Sequence, residues 1–388
     1  MNKTGIVTST INIPEFLDTI CKNAADHARK DFTIYVINDV KSPRGAKSYC
    51  EKVGRKYGVK ILCLDIEDQV KALREHKELL DIIPLNNNAR KMIGTVLSYL
   101  DGAERVIMVD DDNYATRHDF IGFHGIVGKM IEIPVIRSDT GWYNICETMI
   151  EKEKVPFYPR GFPWSKRFIK NKSTIKNDKV KIAVNGGLVL GDPDVDAVSR
   201  LFHPIEVVAI DSKHDPSFAL HPGTWCPFND QNTAISREVV PIYFKPPAVL
   251  RNADIWTSYV VEKISERMGD VVAFGQPLVV QYRNTHDLRE DYLLEELHNR
   301  ATDAFVSLLR GIKLMEKSYM GCMGELIGKS LQKIKAGFLD DTPGNMDSRH
   351  AHMPNKEKIL RKHREEKELI VKFFKEYQAW HRVMENII

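Results

Sequence analysis

The apolar run Val106-Ile107-Met108-Val109 leads directly into Asp110-Asp111-Asp112-Asn113. Side chains along a strand alternate faces, so Asp110 and Asp112 can point the same way. Carboxylates at i and i+2 beyond the end of a buried strand suit a hard divalent cation. Mg2+ and Mn2+ prefer oxygen ligands, often one or two carboxylates together with phosphate oxygens. Such an ion neutralises a diphosphate and helps it leave. No lysine is near the triplet along the chain, so its carboxylates repel one another unless a cation answers them. The plain alternative is an acidic surface turn or a helix cap, since acidic triplets are common. Upstream, Asn86-Asn87-Asn88 precedes Arg90 and Lys91. An arginine offers a planar fork to a diphosphate and a lysine a point charge. A solvated helix start is the competing reading.

These groups need a frame to hold them. Gly5-Ile6-Val7-Thr8-Ser9-Thr10 predicts a buried strand with a polar end, and Pro14 opens a helix reaching about Arg29. Phe32–Ile37 predicts a second strand stopping at Asn38-Asp39, and residues 43–57 a helix. Val59–Leu64 predicts a third strand stopping at Asp65, residues 66–80 a helix, and the three asparagines cap another helix to about Leu100. Val106–Val109 is then the fourth strand. Strands alternating with helices imply a mostly parallel sheet covered by helices. Ligands of open α/β sheets bind beyond the carboxyl ends of the strands. Thr8, Thr10, Asp39, Asp65 and Asp110 are therefore expected along one rim, with a strand or helix cap as the plain role of each.

The chain has 388 residues, of which 43% are hydrophobic and 28% charged. At ~100–200 residues per domain this predicts two domains, or one large α/β domain with additions. The composition excludes a disordered chain, a collagen-like fibre and a small disulfide scaffold. A net charge of +3 is too near balance to point to nucleic acid or an anionic membrane. No stretch approaches the ~18 apolar residues of a membrane span, and the first residues lack the apolar core of a secretory signal. The cysteines at 21, 50, 63, 146, 226 and 322 form no CxxC pair and suit reduced, buried thiols in the cytoplasm. Residues 114–285 are irregular and hold Trp142, Trp164, Trp225 and Trp256, and long irregular segments are often functional. Residues 337–357 read as a loop. After the run KEKILRKHREEKE, Ile370, Phe373, Phe374, Tyr377, Trp380 and Met384 share one helical face, which predicts core packing or a homo-oligomer contact through the C-terminal helices.

A strand ending in Asp-x-Asp after three β/α units resembles the GT-A glycosyltransferases. Pro84–Gly94, Gly102-Ala103, the opening IVTSTINIPEF and VINDVKSP are similar to the STELLO-type glycosyltransferases. Arg160-Gly161-Phe162-Pro163-Trp164-Ser165-Lys166-Arg167 resembles a segment of the reversibly glycosylated polypeptides, the UDP-arabinopyranose mutases. So do Ala183–Leu188 with Asp192–Asp196, Gly223–Asn232 and Asn252–Trp256. The ordered matches span about residues 5–285.

The resemblance implies an α/β fold: a GT-A, Rossmann-like mixed sheet with helices on both faces and a C-terminal helical extension. It divides the chain into a catalytic, nucleotide-sugar-binding domain, 1–286, and a helical extension, 287–388. Asp39 is placed to meet a nucleobase or ribose. Thr8, Thr10, Asp65, Asn88, Arg90, Lys91, Asp111 and Arg160 fall in the nucleotide-sugar site. Gly186 and Gly187 let the backbone approach the sugar, and Trp225 can stack on it. Arg167 matches the arginine that carries the sugar in the mutases, but a protonated guanidinium is a poor nucleophile. Phosphate or substrate binding by Arg160 or Arg167 is the simpler role, with plain ion pairing against it. Asp254 occupies the place of the acidic base that deprotonates an acceptor hydroxyl, and Asp230 is a second acidic candidate. Gln281 stands where the mutase-like pattern has a metal-binding histidine, leaving His286 as the candidate third ligand beside Asp110 and Asp112. The expected activity is transfer of a sugar from a nucleotide sugar, a UDP-sugar, with Mn2+ or Mg2+, to an acceptor hydroxyl of a glycan, lipid, protein or modified nucleic acid. The alternatives are a UDP-sugar pyranose/furanose mutase and a non-catalytic nucleotide-sugar-binding subunit.

Overall fold

A computed structural model describes residues 3–211, 217–283, 287–340 and 356–388, with side chains in the last span from residue 361. The four apolar runs of the first third form β1 (Thr4–Thr10), β2 (Phe32–Asn38), β3 (Lys60–Leu64) and β4 (Arg105–Val109). β1 lies between β2 and β4, and β3 lies outside β2; all three pairings are parallel. Parallel neighbours need crossovers. These are α1 (Phe16–Asp26), α2 (Gly45–Tyr57), and, before β4, α3 (Ile66–Ala72), α4 (Glu78–Ile82) and α5 (Lys91–Leu100). The single helix expected over 66–80 is thus broken. Leu73 and Leu79 are both fully buried. Six residues apart on one helix they would face roughly 120° apart, so the chain turns between them to bury both.

The rest of the chain widens this sheet. Its strands are β5 (Asn113–Ala115), β6 (Met130–Ser138), β7 (Met149–Glu151), β8 (Ser173–Gly191), β9 (Val207–Ile210), β10 (Ser217–Leu220), β11 (Asn232–Ser236) and β12 (Asp270–Gln281). The order is β3-β2-β1-β4-β11-β8-β6-β10-β12-β5, with β9 joining β7 to β8 at the side. β11 runs antiparallel to β4, pairing Asn232 with Val109. β12 runs antiparallel to β5, pairing Gln281 with Asn113. The fold is therefore the α/β class expected, a mixed sheet with a C-terminal helical extension.

Strand alternation divides the core. Ile6, Ile34, Val36, Ile107 and Val109 pack on one face with Phe16, Ile20, Val53 and Phe120, the last from α6 (Phe120–His124). Val7, Tyr35, Ile37, Val106 and Met108 pack on the other with Met92, Ile93 and Val96 of α5. α5 lies close because each side of that contact has a glycine, Gly94 facing Val7 and Ile37, and Gly5 facing Ser98. A Cβ on Gly94 would stand 2.6 Å from Val7 Cγ1, and one on Gly5 would strike Ser98. This approach carries Lys91, at the start of α5, to the sheet rim.

α7 (Ala197–Phe202) follows β8, and α8 (Ala253–Met268) precedes β12. α9 (Leu288–Arg310), α10 (Tyr319–Lys335) and α11 (Lys356–Ile387) close the chain. The apolar stripe of α11 is core packing. Ile370, Phe373, Phe374, Tyr377, Trp380 and Met384 are all buried in the cluster that also contains α5 and α8. Trp380 stacks on Phe244 with centroids 4.6 Å apart, and Trp256 stacks on Phe305 at 4.2 Å. The stripe is used inside the chain. The six cysteines are buried and unpaired. Among the described residues, no helix is long and apolar enough to cross a membrane.

Candidate active site at the carboxyl ends of the sheet

A polar cavity of about 220 Å3 opens where β1 and β4 run out. β4 delivers Asp110, Asp111 and Asp112 to it, the turn before β11 delivers Asn229, Asp230 and Gln231, and the end of β12 delivers Gln281. These pieces are locked by backbone, since Asp110 N–H donates to Gln231 O at 3.2 Å and Tyr282 N–H to Asp112 O at 3.1 Å.

The acidic triplet splits by role. Asp111 turns toward the end of β1, where its Oδ2 accepts from Thr10 Oγ1 at 2.7 Å and from Ile11 N–H at 3.3 Å. Asp110 and Asp112 both line the cavity. Asp112 Oδ2 accepts from Gln281 Nε2 at 3.0 Å, while its Oδ1 is buried with no hydrogen-bond partner. Burial first, then the charges of Asp110 and Asp111, push the Asp112 carboxyl up to about 6, against the pull of Gln281 and Arg283. An orphaned, desolvated carboxylate oxygen beside a second carboxylate fits a divalent cation. Gln281, at the place of the histidine in the mutase-like pattern, holds Asp112 through its amide. His286 lies outside the described residues. Among those described, no three His, Cys, Asp or Glu side chains cluster as a complete metal cage. A two-carboxylate site suits ions that keep water and phosphate oxygens as their other ligands.

The triplet has a lysine close in space. Lys91 Nζ, 3% exposed, reaches Asp110 Oδ1, and stands 3.3 Å from Asp230 Oδ1 and 3.2 Å from Asp230 O. Lys245 Nζ donates to Asp230 Oδ2 at 2.7 Å. Burial works against the Lys91 ammonium, but Asp110 and Asp230 outweigh it and raise its pKa. Asp230 is correspondingly held well below the usual carboxylate range by Lys245 and Lys91, despite its burial. Such an anion, clasped by two ammonium groups, is a weak proton acceptor; it positions the lysines.

A second buried network holds Asp254. Arg160 forks onto Asp194, with Nε to Oδ1 at 2.8 Å and Nη2 to Oδ2 at 2.7 Å. The same Nη2 is 3.2 Å from Asp254 Oδ2, and Nη1 donates to Asn252 Oδ1 at 3.2 Å and to Arg251 O. These contacts fix the entry into α8, whose first turn carries Asp254. Just before it Leu250 adopts φ +49, a strained conformation for a branched residue, and Asn88 Nδ2 grips its carbonyl at 3.1 Å. Burial raises the Asp254 pKa, against the opposing charge of Arg160. Asp254 is therefore a better proton acceptor than Asp230.

Other residues singled out in the sequence stand apart from the cavity. Arg90 is buried beneath it, donating to Gln69 Oε1 and to Ile83 O. Arg167 pairs with buried Asp196 and lies over the rings of Trp164 and Tyr158, 4.9 and 5.3 Å away. Asp65 caps α3 by accepting from Asp68 N–H at 3.0 Å. Thr8 is buried, and Asp39 accepts from Asn87 N–H at 3.2 Å. Trp225 packs in the core and donates to Glu266 Oε2 at 3.1 Å. Gly186 and Gly187 line a smaller apolar pocket of about 40 Å3 that shares Arg160, Asp194, Asn229 and Gln231 with the polar cavity. The cavity also contains groups without a prior role, notably Lys245, Arg251 and Arg283. Lys245 carries a signal in hindsight, as a lone charge ending the apolar run Val239–Phe244. A cation there must be paired to be buried.

No family model matches the chain. It is similar to the probable glycosyltransferases STELLO1 and STELLO2 of Arabidopsis thaliana. Identity is 24% in both, over 215 residues (51% of this chain and 27% of STELLO1) and 229 residues (53% and 28% of STELLO2). The match thus spans little more than a quarter of either relative. The STELLO resemblance read from the motifs is present over about half the chain; the mutase resemblance rests on its motifs. Glucosyl-3-phosphoglycerate synthase of Mycobacterium tuberculosis is a distant structural neighbour. The form with Mn2+ and UDP-glucose has 13% identity, 80% coverage of each chain and a TM-score of 0.40. The form with Mn2+, UDP and phosphoglyceric acid has 12%, 80% of each and 0.42. Superposition this loose carries no functional argument.

Proposed function

We propose that this chain is a divalent-metal-dependent glycosyltransferase that moves a sugar from a nucleoside diphosphate sugar to an acceptor hydroxyl. The observation that carries the reading is the Asp110/Asp112 pair, with its orphaned Asp112 oxygen, in a polar cavity at the carboxyl ends of parallel strands. The STELLO similarity supports the same class. UDP is the nucleotide that the mutase-like segments imply, and residues 1–286 hold every group assigned a step. Unpaired, buried cysteines support a reducing compartment.

Asp110 and Asp112 would hold Mn2+ or Mg2+, which when bound offsets charge on the leaving diphosphate. Lys91 adds a buried positive charge beside that position, in a medium where its field is weakly screened. Asp254, desolvated and oriented by Arg160, accepts the proton of the acceptor hydroxyl. Gly186 and Gly187, expected to let the backbone approach the sugar, are instead closed over by Phe274 and Asn232, which fill the space a side chain would take there, so they take no part in the step.

The test is incubation with a panel of UDP-sugars and Mn2+ without acceptor, read by mass spectrometry. UDP plus free sugar supports transfer, a UDP-sugar isomer supports a mutase, and binding without turnover supports a non-catalytic subunit. Asp112→Asn is expected to abolish turnover, a loss of several kcal/mol in the barrier (on the order of 3) if the ion stabilises the leaving group. Full turnover by that variant overturns the metal assignment.

A further inference from the structure

The lysine that faces the acidic triplet has a consequence for how the ion is loaded. We propose that Lys91 is a built-in counter-ion for Asp110 that makes cation binding depend on the diphosphate. This rests on the metal-site reading above and adds its order of assembly.

Lys91 Nζ sits between Asp110 and Asp230, 3% exposed, whereas the Asp110 side chain is 41% exposed. The ammonium therefore holds Asp110 at the cavity wall, which it helps to line, and leaves the exposed part of that carboxylate open to a cation from the cavity. With the cavity free of phosphate, a divalent ion at Asp110 and Asp112 meets a carboxylate already neutralised and a fixed positive charge beside it. Like charges at such separation in a poorly screened site oppose each other by far more than in water. Asp112, with its unpartnered Oδ1, draws the ion alone.

A diphosphate changes the balance. Its oxygens accept from Lys91 and ligate the ion at once, so two cations share several anionic groups instead of one. Ion and diphosphate then bind with positive coupling, and linkage requires each to raise the affinity of the other by the same factor. Asp230 does not give Lys91 up freely, but it keeps Lys245 at 2.7 Å whichever way Lys91 leans. This second ammonium is what lets Lys91 change partners without stranding a buried carboxylate. It also makes Lys91→Met a clean perturbation. Asp230 stays paired, and Asp110, partly exposed, is left to solvent and the ion.

The experiment measures Mn2+ binding by electron paramagnetic resonance of the free ion, with and without UDP, in the wild-type chain, Lys91→Met, Lys91→Arg and Asp112→Asn. In the wild-type chain UDP is expected to tighten Mn2+ binding by about 5–150-fold, the usual span of such coupling. Lys91→Met is expected to bind Mn2+ at least about fivefold more tightly than wild type without UDP, and to lose most of the UDP-induced gain. Lys91→Arg keeps the charge and is expected to keep the coupling. If Lys91→Met melts below the assay temperature, Lys91→Gln takes its place with the same expectation. UDP-free Mn2+ affinity that is unchanged or weaker in the charge-removed variant overturns the counter-ion role, even with the metal site intact. Mn2+ binding in the presence of UDP that is indifferent to Asp112→Asn overturns the site itself, so the two failures are distinguishable.

Discussion

Replacing Arg160 with methionine is the sharpest test of the buried network that holds Asp254. The guanidinium forks onto Asp194 at 2.7 and 2.8 Å, contacts Asp254 at 3.2 Å, and is itself buried. Its removal takes the paired cation from two buried carboxylates, of which Asp194 keeps the Asn229 amide at 3.1 Å. Removing one side of a buried ion pair costs about 3–5 kcal/mol. Unfolding entropy of ~2.1 cal/mol/K per residue over 388 residues converts this to a fall in Tm of about 4–6 °C. The loss should also depend on pH. In the intact chain burial raises the Asp194 pKa, but Arg160 more than reverses it and holds the carboxyl well below its ordinary value. The stability from that pairing is present above the unfolded carboxylate pKa and is lost as pH falls through the folded value. In Arg160→Met burial is opposed only by the charges of Arg283 and Arg200 and by the Asn229 amide, so the Asp194 pKa rises and the anion loses most of its advantage in the folded chain. The deficit relative to wild type is largest at neutral pH and shrinks toward about pH 4. Thermal melts of both proteins across that range, with Asp194→Asn added to the variant, provide the measurement. The added substitution is expected to recover part of the loss. A Tm within about 1 °C of wild type at neutral pH, or a deficit that does not vary with pH, refutes the reasoning.

Asp254→Asn keeps the shape of the side chain and the Asp194 fork on Arg160, so calorimetry should find UDP binding intact while transfer falls about 10²–10⁴-fold; retained transfer removes Asp254 as the base. Arg167→Gln should lower Tm, because buried Asp196 loses its ion pair and keeps only the Ser199 N–H at 2.8 Å, but leave turnover per folded molecule close to wild type, since Arg167 stands outside the cavity. Lost turnover in a folded variant would return Arg167 to the chemistry. His124, buried between Asn232 Oδ1 and Asn185 Nδ2 at 3.0 Å each, has its pKa pushed down to about 4, chiefly by burial. Between about pH 6.5 and 4 the unfolded chain binds a proton that the folded chain refuses, so stability held above that window falls on acidification by up to about 3 kcal/mol. Urea melts should show a shallower acid decline in His124→Gln, and an identical decline counts against the assignment.

Local pattern was enough to read the parallel half of the sheet. Each strand of the first third is an apolar run closed by a polar residue, and short-range alternation determines both where it lies and which face each side chain takes. The Asp-x-Asp at the end of β4 was legible for the same reason, because strand, end and carboxylates are consecutive. The stripe on α11 announced burial, but not whether its cover came from this chain. Phe244, Phe305 and Trp256 supply that cover from distant sequence.

Charge pairing was the part only tertiary structure decided. Along the chain the acidic triplet has no lysine beside it; in space Lys91 touches Asp110 because two glycines let α5 settle on β1. Arg90 and Lys91 are neighbours with equal claims in sequence, yet the helix start turns one under the sheet rim toward Gln69 and the other into the cavity. Asp230 and Asp254 are both acidic residues near the rim, and their difference as proton acceptors comes from partners that no spacing rule connects to them. Secondary structure follows from interactions a few residues long, which a sequence displays. The protonation and reach of a buried charge follow from the charges packed around it, and those are set by how the whole chain closes.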